Sequence, residues 1–373
     1  MRAFVFTDKA LERYAGRFVW LSVDTENSKN ADFLKKYPIN VWPTLLVIDP
    51  SKERIALRYA GGATVGQLSK LLDQALSKTK SPSDDALARA DVLAGEGKNE
   101  EAAKEYDLAI VNAPKGWRPF GRAAEGLIMA LTMTQQNERC ATRADELYPR
   151  LRGTLSGANV AAYGLGCASS LPAENAKRGA LLESLEKATR ASLDDPKIDM
   201  SGDDRSGLYE SIVDALKAQK NEEGAKKAAE QWAAFLEGQA AKAKTVEQRA
   251  VYDSHRMTAY MELGTLEKAV PMLEQSERDL PRDYNPPARL GTLYRMMKKY
   301  DEALAAYDRA LKLAYGPRKI GILRGRADTL FLKGDKEAAR QTMRDAIAYA
   351  KSLPSGQVSA RQISALEKRL EAM

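Results

Sequence analysis

The side chains best equipped for chemistry are few in this sequence and far apart. Its two cysteines, Cys140 and Cys167, are 27 residues apart, which fits neither a C-x-x-C redox pair nor a metal site. Both sit among Ala, Thr and Ser in helical stretches and are expected as buried free thiols. A bond between neighbouring hairpins would require their Cα atoms to lie within about 7 Å. The one histidine, His255, leaves too few parts for a histidine metal cluster or a Ser/His/Asp triad, and it reads as an ordinary helix residue. The paired carboxylates Asp203-Asp204 and Glu222-Glu223 fall at helix starts or in loops, where negative charge suits the helix dipole. Gly61 to Gly66, GGATVG, lacks the Gly-Lys-Ser/Thr ending of a phosphate loop and reads as a turn. No catalytic, metal-binding or cofactor-binding set emerges, and the chain as given leans away from being an enzyme.

With 373 residues the chain has room for two domains or one extended array. Its net charge of +7 is concentrated near the start, where residues 1–80 hold 13 Lys/Arg against 8 Asp/Glu. The remainder is nearly balanced, at 45 against 43, with the two signs alternating as on solvated helix faces. No Lys/Arg run with interleaved aromatics appears, which argues against nucleic acid as a partner. No apolar run approaches the roughly 18 residues of a membrane span. The opening MRAFVFTDKALERYAG has no apolar core of a signal peptide.

The elements that must position everything else are clearest from Pro287 to Tyr315. Leu290, Gly291 and Tyr294, then Ala303, Tyr307 and Ala310, recur at helical spacing on either side of a polar turn at Lys298 to Asp301. The pattern predicts two antiparallel helices, close-packed where the residues are small. It resembles the tetratricopeptide repeat in order and spacing. Ala269 and Leu273 lie 34 residues before Ala303 and Tyr307, and Ala339 and Met343 lie 36 after. An upstream copy carries Ala90, Leu93, Ala102, Tyr106, Ala109 and Pro114. One hairpin cannot bury its own apolar face, so the resemblance implies a mainly α solenoid of stacked antiparallel pairs.

The expected organisation is a repeat at 83–116, divergent helical repeats at 117–245, clear repeats at 246–353 and a capping helix at 355–373. Helices are expected at 119–135, 138–151, 156–170, 174–192, 205–220 and 222–243. The family resemblance implies a peptide groove along the first helices, with Thr292, Arg295, Arg324, Asp328 and Phe331 as candidate lining residues. Arg295 and Arg324 have the chemistry to hold an acidic partner, though solvated surface charge is the simpler reading.

Residues 1–80 read differently. Phe18–Asp24 is β-rich, Asn30–Tyr37 helical, 41–50 a second strand, 54–59 an alternating strand, and 64–78 a helix after Gly61-Gly62. Together with Tyr37-Pro38-Ile39-Asn40-Val41-Trp42-Pro43-Thr44, this resembles the C-terminal two-thirds of a small α/β thioredoxin-like domain. The resemblance implies a cis Trp42-Pro43 bond, with Trp42, Pro43 and Thr44 forming the loop that faces a redox site. The family's first strand and its C-x-x-C are missing, and residues 1–80 contain no cysteine. One expectation is that Met1 is internal and a longer parent supplies both; the other is a degenerate domain kept as a cap.

Two functions follow. One is a protein–protein interaction scaffold with a redox-inactive thioredoxin-like module, binding a protein or peptide. The other is a fragment of a thiol–disulfide oxidoreductase whose repeats recruit substrate. The compartment stays open: cytoplasmic as the chain stands, exported or periplasmic if the start lies upstream.

Overall fold

The structure, a computed structural model, describes every residue except 1–3, 40, 78–80 and 355–356. Met1, Asn40, the linker residues 78–80 and the first residues of the capping segment therefore lie outside the described part. After a 3-10 helix at Lys9–Tyr14 come α1 (Ala31–Lys36), strands β1 (Thr44–Asp49) and β2 (Arg54–Ala60), and α2 (Val65–Leu76).

From Pro82 onward the described elements are helices, mostly joined as pairs. These are α3 (Pro82–Gly95) with α4 (Asn99–Val111), α5 (Phe120–Met133) with α6 (Asn137–Leu151), and α7 (Leu155–Ser169) with α8 (Arg178–Asp194). Next come α9 (Gly202–Ala218) and α10 (Glu222–Lys242), followed by α11 (Val246–Ala250), α12 (Asp253–Glu262) and α13 (Ala269–Asp279). The last are α14 (Asn285–Met296) with α15 (Tyr300–Leu313), α16 (Arg318–Lys333) with α17 (Lys336–Ser352), and α18 (Ala360–Glu371). The chain divides into two compact units, Met1–Phe18 with Ile39–Leu236, and Val19–Pro38 with Glu237–Met373.

One local device builds most of the pairs. Gly97, Gln135, Lys220, Gly264, Lys298 and Gly334 each adopt a positive φ between the two helices of a pair. In each case the next residue's N–H bonds back to the carbonyl five residues earlier. Lys98 to Leu93, Lys299 to Tyr294 and Asp335 to Leu330 do so at 2.9, 2.9 and 3.0 Å. This satisfies a carbonyl that the helix end would leave orphaned, and it fixes the reversal that lays the second helix on the first. Between α7 and α8 the connection is longer, running through Leu171 and Pro172.

Close packing follows from small residues facing tyrosines. A Cβ on Gly291 of α14 would sit 2.6 Å from the Tyr307 ring of α15. The same ring meets Gly325 of α16, so one tyrosine locks its own pair to the next. Ala303, Tyr307 and Ala310 are accordingly buried, as are Ala327, Ala339 and Met343 one pair later. Over the end of the second unit, α18 buries Leu366 against Leu330 and Met343, with Ile363 and Leu370 alongside.

Near the start, the expected helix at 30–37, the two strands and the helix after Gly61-Gly62 all form. The strands are antiparallel, from Thr44 opposite Ala60 to Asp49 opposite Arg54, with an irregularity between Val47 and Ile48. The Trp42-Pro43 bond is cis. Ser81 caps α3. Pro82 takes the first helical position, and Asp84 returns the hydrogen bond to the Ser81 N–H at 2.8 Å.

Two expectations are corrected. Phe18–Asp24 is not a strand. Among the described residues the sheet has only β1 and β2, and Val19 and Leu21 stand 89% and 76% exposed. A β-rich run becomes a strand only where another strand offers its ladder. The cysteines are not free thiols: Cys140 of α6 and Cys167 of α7 form a disulfide with Cα atoms 6.0 Å apart. Neighbouring helices bring the two side chains together, and both are buried.

Candidate functional site: a polar cavity on the first helices of the first unit

The first helices α5, α7 and α9 pack side by side, and β2 lies against α3. A cavity of about 190 Å³ opens on this face. Its walls come from Arg58 and Tyr59 of β2, Asp91 of α3, Arg122 and Glu125 of α5, Asn159 and Tyr163 of α7, and Asp204 of α9. Each helix contributes at turn spacing: Arg122 and Glu125 are three apart, and Asn159 and Tyr163 four apart, so each pair projects from one face.

An ion pair with almost no solvent access fixes one side of the cavity. Asp91, 1% exposed, accepts from Arg122 Nη1 at 2.5 Å, from the Tyr106 hydroxyl at 3.0 Å and from the Arg58 N–H at 3.1 Å. Arg122 Nη1 also donates to the Arg58 carbonyl at 3.1 Å. The carboxylate thus ties a strand to three helices, and burial with the nearby Asp91 charge pushes the Tyr106 hydroxyl's pKa up.

On the other side the charge is acidic. Burial pushes Glu125 up to a pKa of about 7, while hydrogen bonding from Ser156 and Asn159 and the Arg122 charge hold it back. Asp204 is also raised, chiefly by burial, although its role as the third residue of the α9 capping box pulls the other way. Both carboxylates push up the hydroxyls of Tyr59 and Tyr163, after desolvation. Tyr163 is 44% exposed, which leaves an aromatic surface at the cavity open to a guest. With all five ionised, Arg58, Arg122, Asp91, Glu125 and Asp204 carry a net charge of −1. A carboxylate half-protonated near neutrality, beside a second one and two tyrosines, is suited to receiving a cation or a hydrogen-bond donor.

The residues singled out from sequence sit elsewhere. Trp42 is 56% exposed, the Pro43 carbonyl accepts from the Gly61 N–H at 2.8 Å, and the Thr44 hydroxyl donates to Val41 at 2.6 Å. This loop reaches the cavity only through its neighbours Val41, Gly61 and Gly62.

In the second unit, the Thr292 hydroxyl turns inward to the Ala288 carbonyl and the Tyr307 hydroxyl, 3.2 Å from each. Arg295 is half-buried and Arg324 exposed. Asp328 accepts from Arg369 of α18 at 2.8 Å, and the same guanidinium lies 5.7 Å from the centre of the Phe331 ring. The capping helix therefore engages two of the five candidate groove residues. Asp203-Asp204 and Glu222-Glu223 do fall in first turns, as the helix-dipole reading expects. Sequence reasoning missed that Asp204 also faces the cavity, and it missed Glu125, Asn159 and Tyr163 altogether. A signal was present: Arg122 and Glu125 are the only charged residues of α5, in a helix otherwise rich in Ala, Leu, Ile and Met.

Among the described residues no group of three or more His, Cys, Asp or Glu could hold a metal ion. No helix there is long and apolar enough to cross a membrane.

Residues 284–352 match the tetratricopeptide repeat family. No curated protein matches the chain significantly. Among solved structures it is similar to a tetratricopeptide repeat protein from Parabacteroides merdae, at 12% identity and a TM-score of 0.46, over 78% of this chain and 99% of that one. It is also similar to a thermophilic tetratricopeptide repeat protein in Thermus thermophilus, at 19% identity and a TM-score of 0.33, over 67% and 99%. A third is YrrB, a tetratricopeptide repeat protein with an unusual peptide-binding site, at 12% identity and a TM-score of 0.28, over 71% and 99%. The family match thus falls on residues 284–352, within a run of helices that begins at Pro82.

Proposed function

We propose that the chain is a protein–protein interaction scaffold, and that the Glu125 cavity receives a basic side chain of a peptide partner. The observation that carries this reading is the convergence of Glu125, Asn159, Tyr163 and Asp204 from three adjacent first helices onto one concave polar site. The repeat match in the second unit supports the scaffold part of the proposal. A lysine or arginine entering the cavity would meet two carboxylates and pack its methylene stem on Tyr163. Its charge would draw Glu125 into the ionised form, so that the cavity's own acidity contributes to binding.

In this proposal the hairpin β1–β2 and the helix α2, all in the first unit, are the remnant of a thioredoxin-like module that serves as a wall rather than a redox centre. The hairpin and the helix after it follow the family's order, and β2 supplies Arg58 and Tyr59. The oxidoreductase alternative has no supporting observation, and nucleic acid is no part of this reading. The experiment is selection of random peptides on the full chain, followed by affinity measurements on the enriched sequences. Peptides sharing a Lys or Arg, and bound at least about tenfold more weakly by Glu125→Gln or Tyr163→Ala, support the reading. Enrichment without a basic residue, or affinities indifferent to both substitutions, contradicts it.

A further inference from the structure

In the second unit, residues 24–26 lie on the last repeats as a short acidic peptide gripped by side chains of three separate segments. The Glu26 carboxylate accepts from Arg318 Nε at 2.5 Å and from the Tyr284 hydroxyl, which is 3.3 and 3.4 Å from its two oxygens. The Asp24 carboxylate accepts from the Tyr315 hydroxyl at 2.9 Å. Between them Gln357 Nε2 faces the carbonyl oxygens of Thr25 and Glu26, 3.4 Å from each. The floor is Gly316, so close that a Cβ there would stand 2.2 Å from the Glu26 carbonyl oxygen. The segment is also shaped in advance: Asp24 Oδ1 accepts from the Glu26 N–H at 2.9 Å, and Asn30 Nδ2 donates to the Asp24 carbonyl at 2.8 Å.

These contacts read two carboxylates one residue apart and the main-chain carbonyls between them. They therefore select a pattern of charge. Charge-assisted hydrogen bonds from an arginine and two tyrosine hydroxyls are the stronger kind, and glycine at the floor lets the backbone approach. We propose that the surface formed by Tyr284, Tyr315, Gly316, Arg318 and Gln357 is a docking site for acidic peptides of the pattern Asp-x-Glu. In this chain residues 24–26 fill it in cis. A tethered occupant acts at an effective concentration in the millimolar range, so an external acidic segment competes only weakly until the internal one is released. The site is distinct from the Glu125 cavity and selects the opposite charge, so the two proposals fail independently.

The test uses the full chain and a fluorescein-labelled peptide of residues 22–31, with binding followed by fluorescence anisotropy. In Asp24→Ala/Glu26→Ala the peptide binds at least about tenfold more tightly than in the unaltered chain. Adding Arg318→Ala removes that gain, and a peptide with Asn and Gln in place of the two acids does not bind. As a control for loosening of the fold by the double substitution, Glu26→Gln, which keeps the side-chain shape, is measured beside it and gains affinity in the same direction. No gain in either variant while helical circular dichroism is unchanged, or a gain that survives Arg318→Ala, overturns the proposal.

Discussion

The Tyr307 ring lies against Gly291 with no room for a methyl group between them, a Cβ there being 2.6 Å from the ring. This contact, repeated on the far side at Gly325, converts a sequence pattern of small and aromatic residues into fixed spacing between helices.

Gly291→Ala should therefore cost about 1–3 kcal/mol, because either the helix or the tyrosine must move. Gly207→Ala in α9, where an added Cβ meets nothing within 4 Å, should be neutral or stabilising by up to about 1 kcal/mol. Urea unfolding of the two variants reads the difference; equal costs would refute the packing account.

Asp91 is the acceptor on which the cavity's arginine side is built. Asp91→Ala should destabilise by about 3–5 kcal/mol by leaving a buried guanidinium uncompensated. Converting Arg122 to Met in the same chain should recover part of the loss, since the lone charge is then gone. A double variant no better than the single one would contradict this.

Glu125 gives a pH signature. Folding raises its pKa from an ordinary 4.5 to about 7, so the folded chain holds a proton that the unfolded chain has shed between those values. This group's contribution to stability is therefore greatest below 4.5, is lost as pH rises towards 7, and is level above that. Glu125→Gln should melt at the same temperature as the unaltered chain at pH 4 and higher at pH 8. A gap independent of pH would show that Glu125 titrates normally.

The Cys140–Cys167 bond closes a 27-residue separation. Reduction should lower stability by about 3–4 kcal/mol through the loop entropy returned to the unfolded chain. Thiol titration of the unreduced, denatured chain should find no free thiol. Two titratable thiols would contradict the pairing.

The repeats were legible because each rests on local information. A turn with one left-handed residue, an alanine ladder and a tyrosine opposite glycine all fall within about 34 residues. What lay between helices distant in sequence was not legible. The disulfide depends on α6 meeting α7, and spacing alone left Cys140 and Cys167 unpaired. The cavity depends on α5, α7 and α9 standing in a row, and in the divergent stretch 117–245 the sequence located helices but not which faces converge. Phe18–Asp24 misled for the converse reason: its β-rich composition is local, whereas a strand needs a partner. Residues 24–26 look like an ordinary polar turn until Arg318 and Tyr315 are seen to hold them.

The central claim is that the Glu125 cavity binds a basic side chain, and its most direct test is the pH dependence of one affinity. A lysine-containing peptide selected on the full chain should bind more weakly as pH falls from 8 to 6, as Glu125 takes up its proton near 7. Glu125→Gln should bind it weakly and without that pH dependence. Affinity unchanged across this range in the unaltered chain, or a pH dependence that persists in Glu125→Gln, would contradict the account.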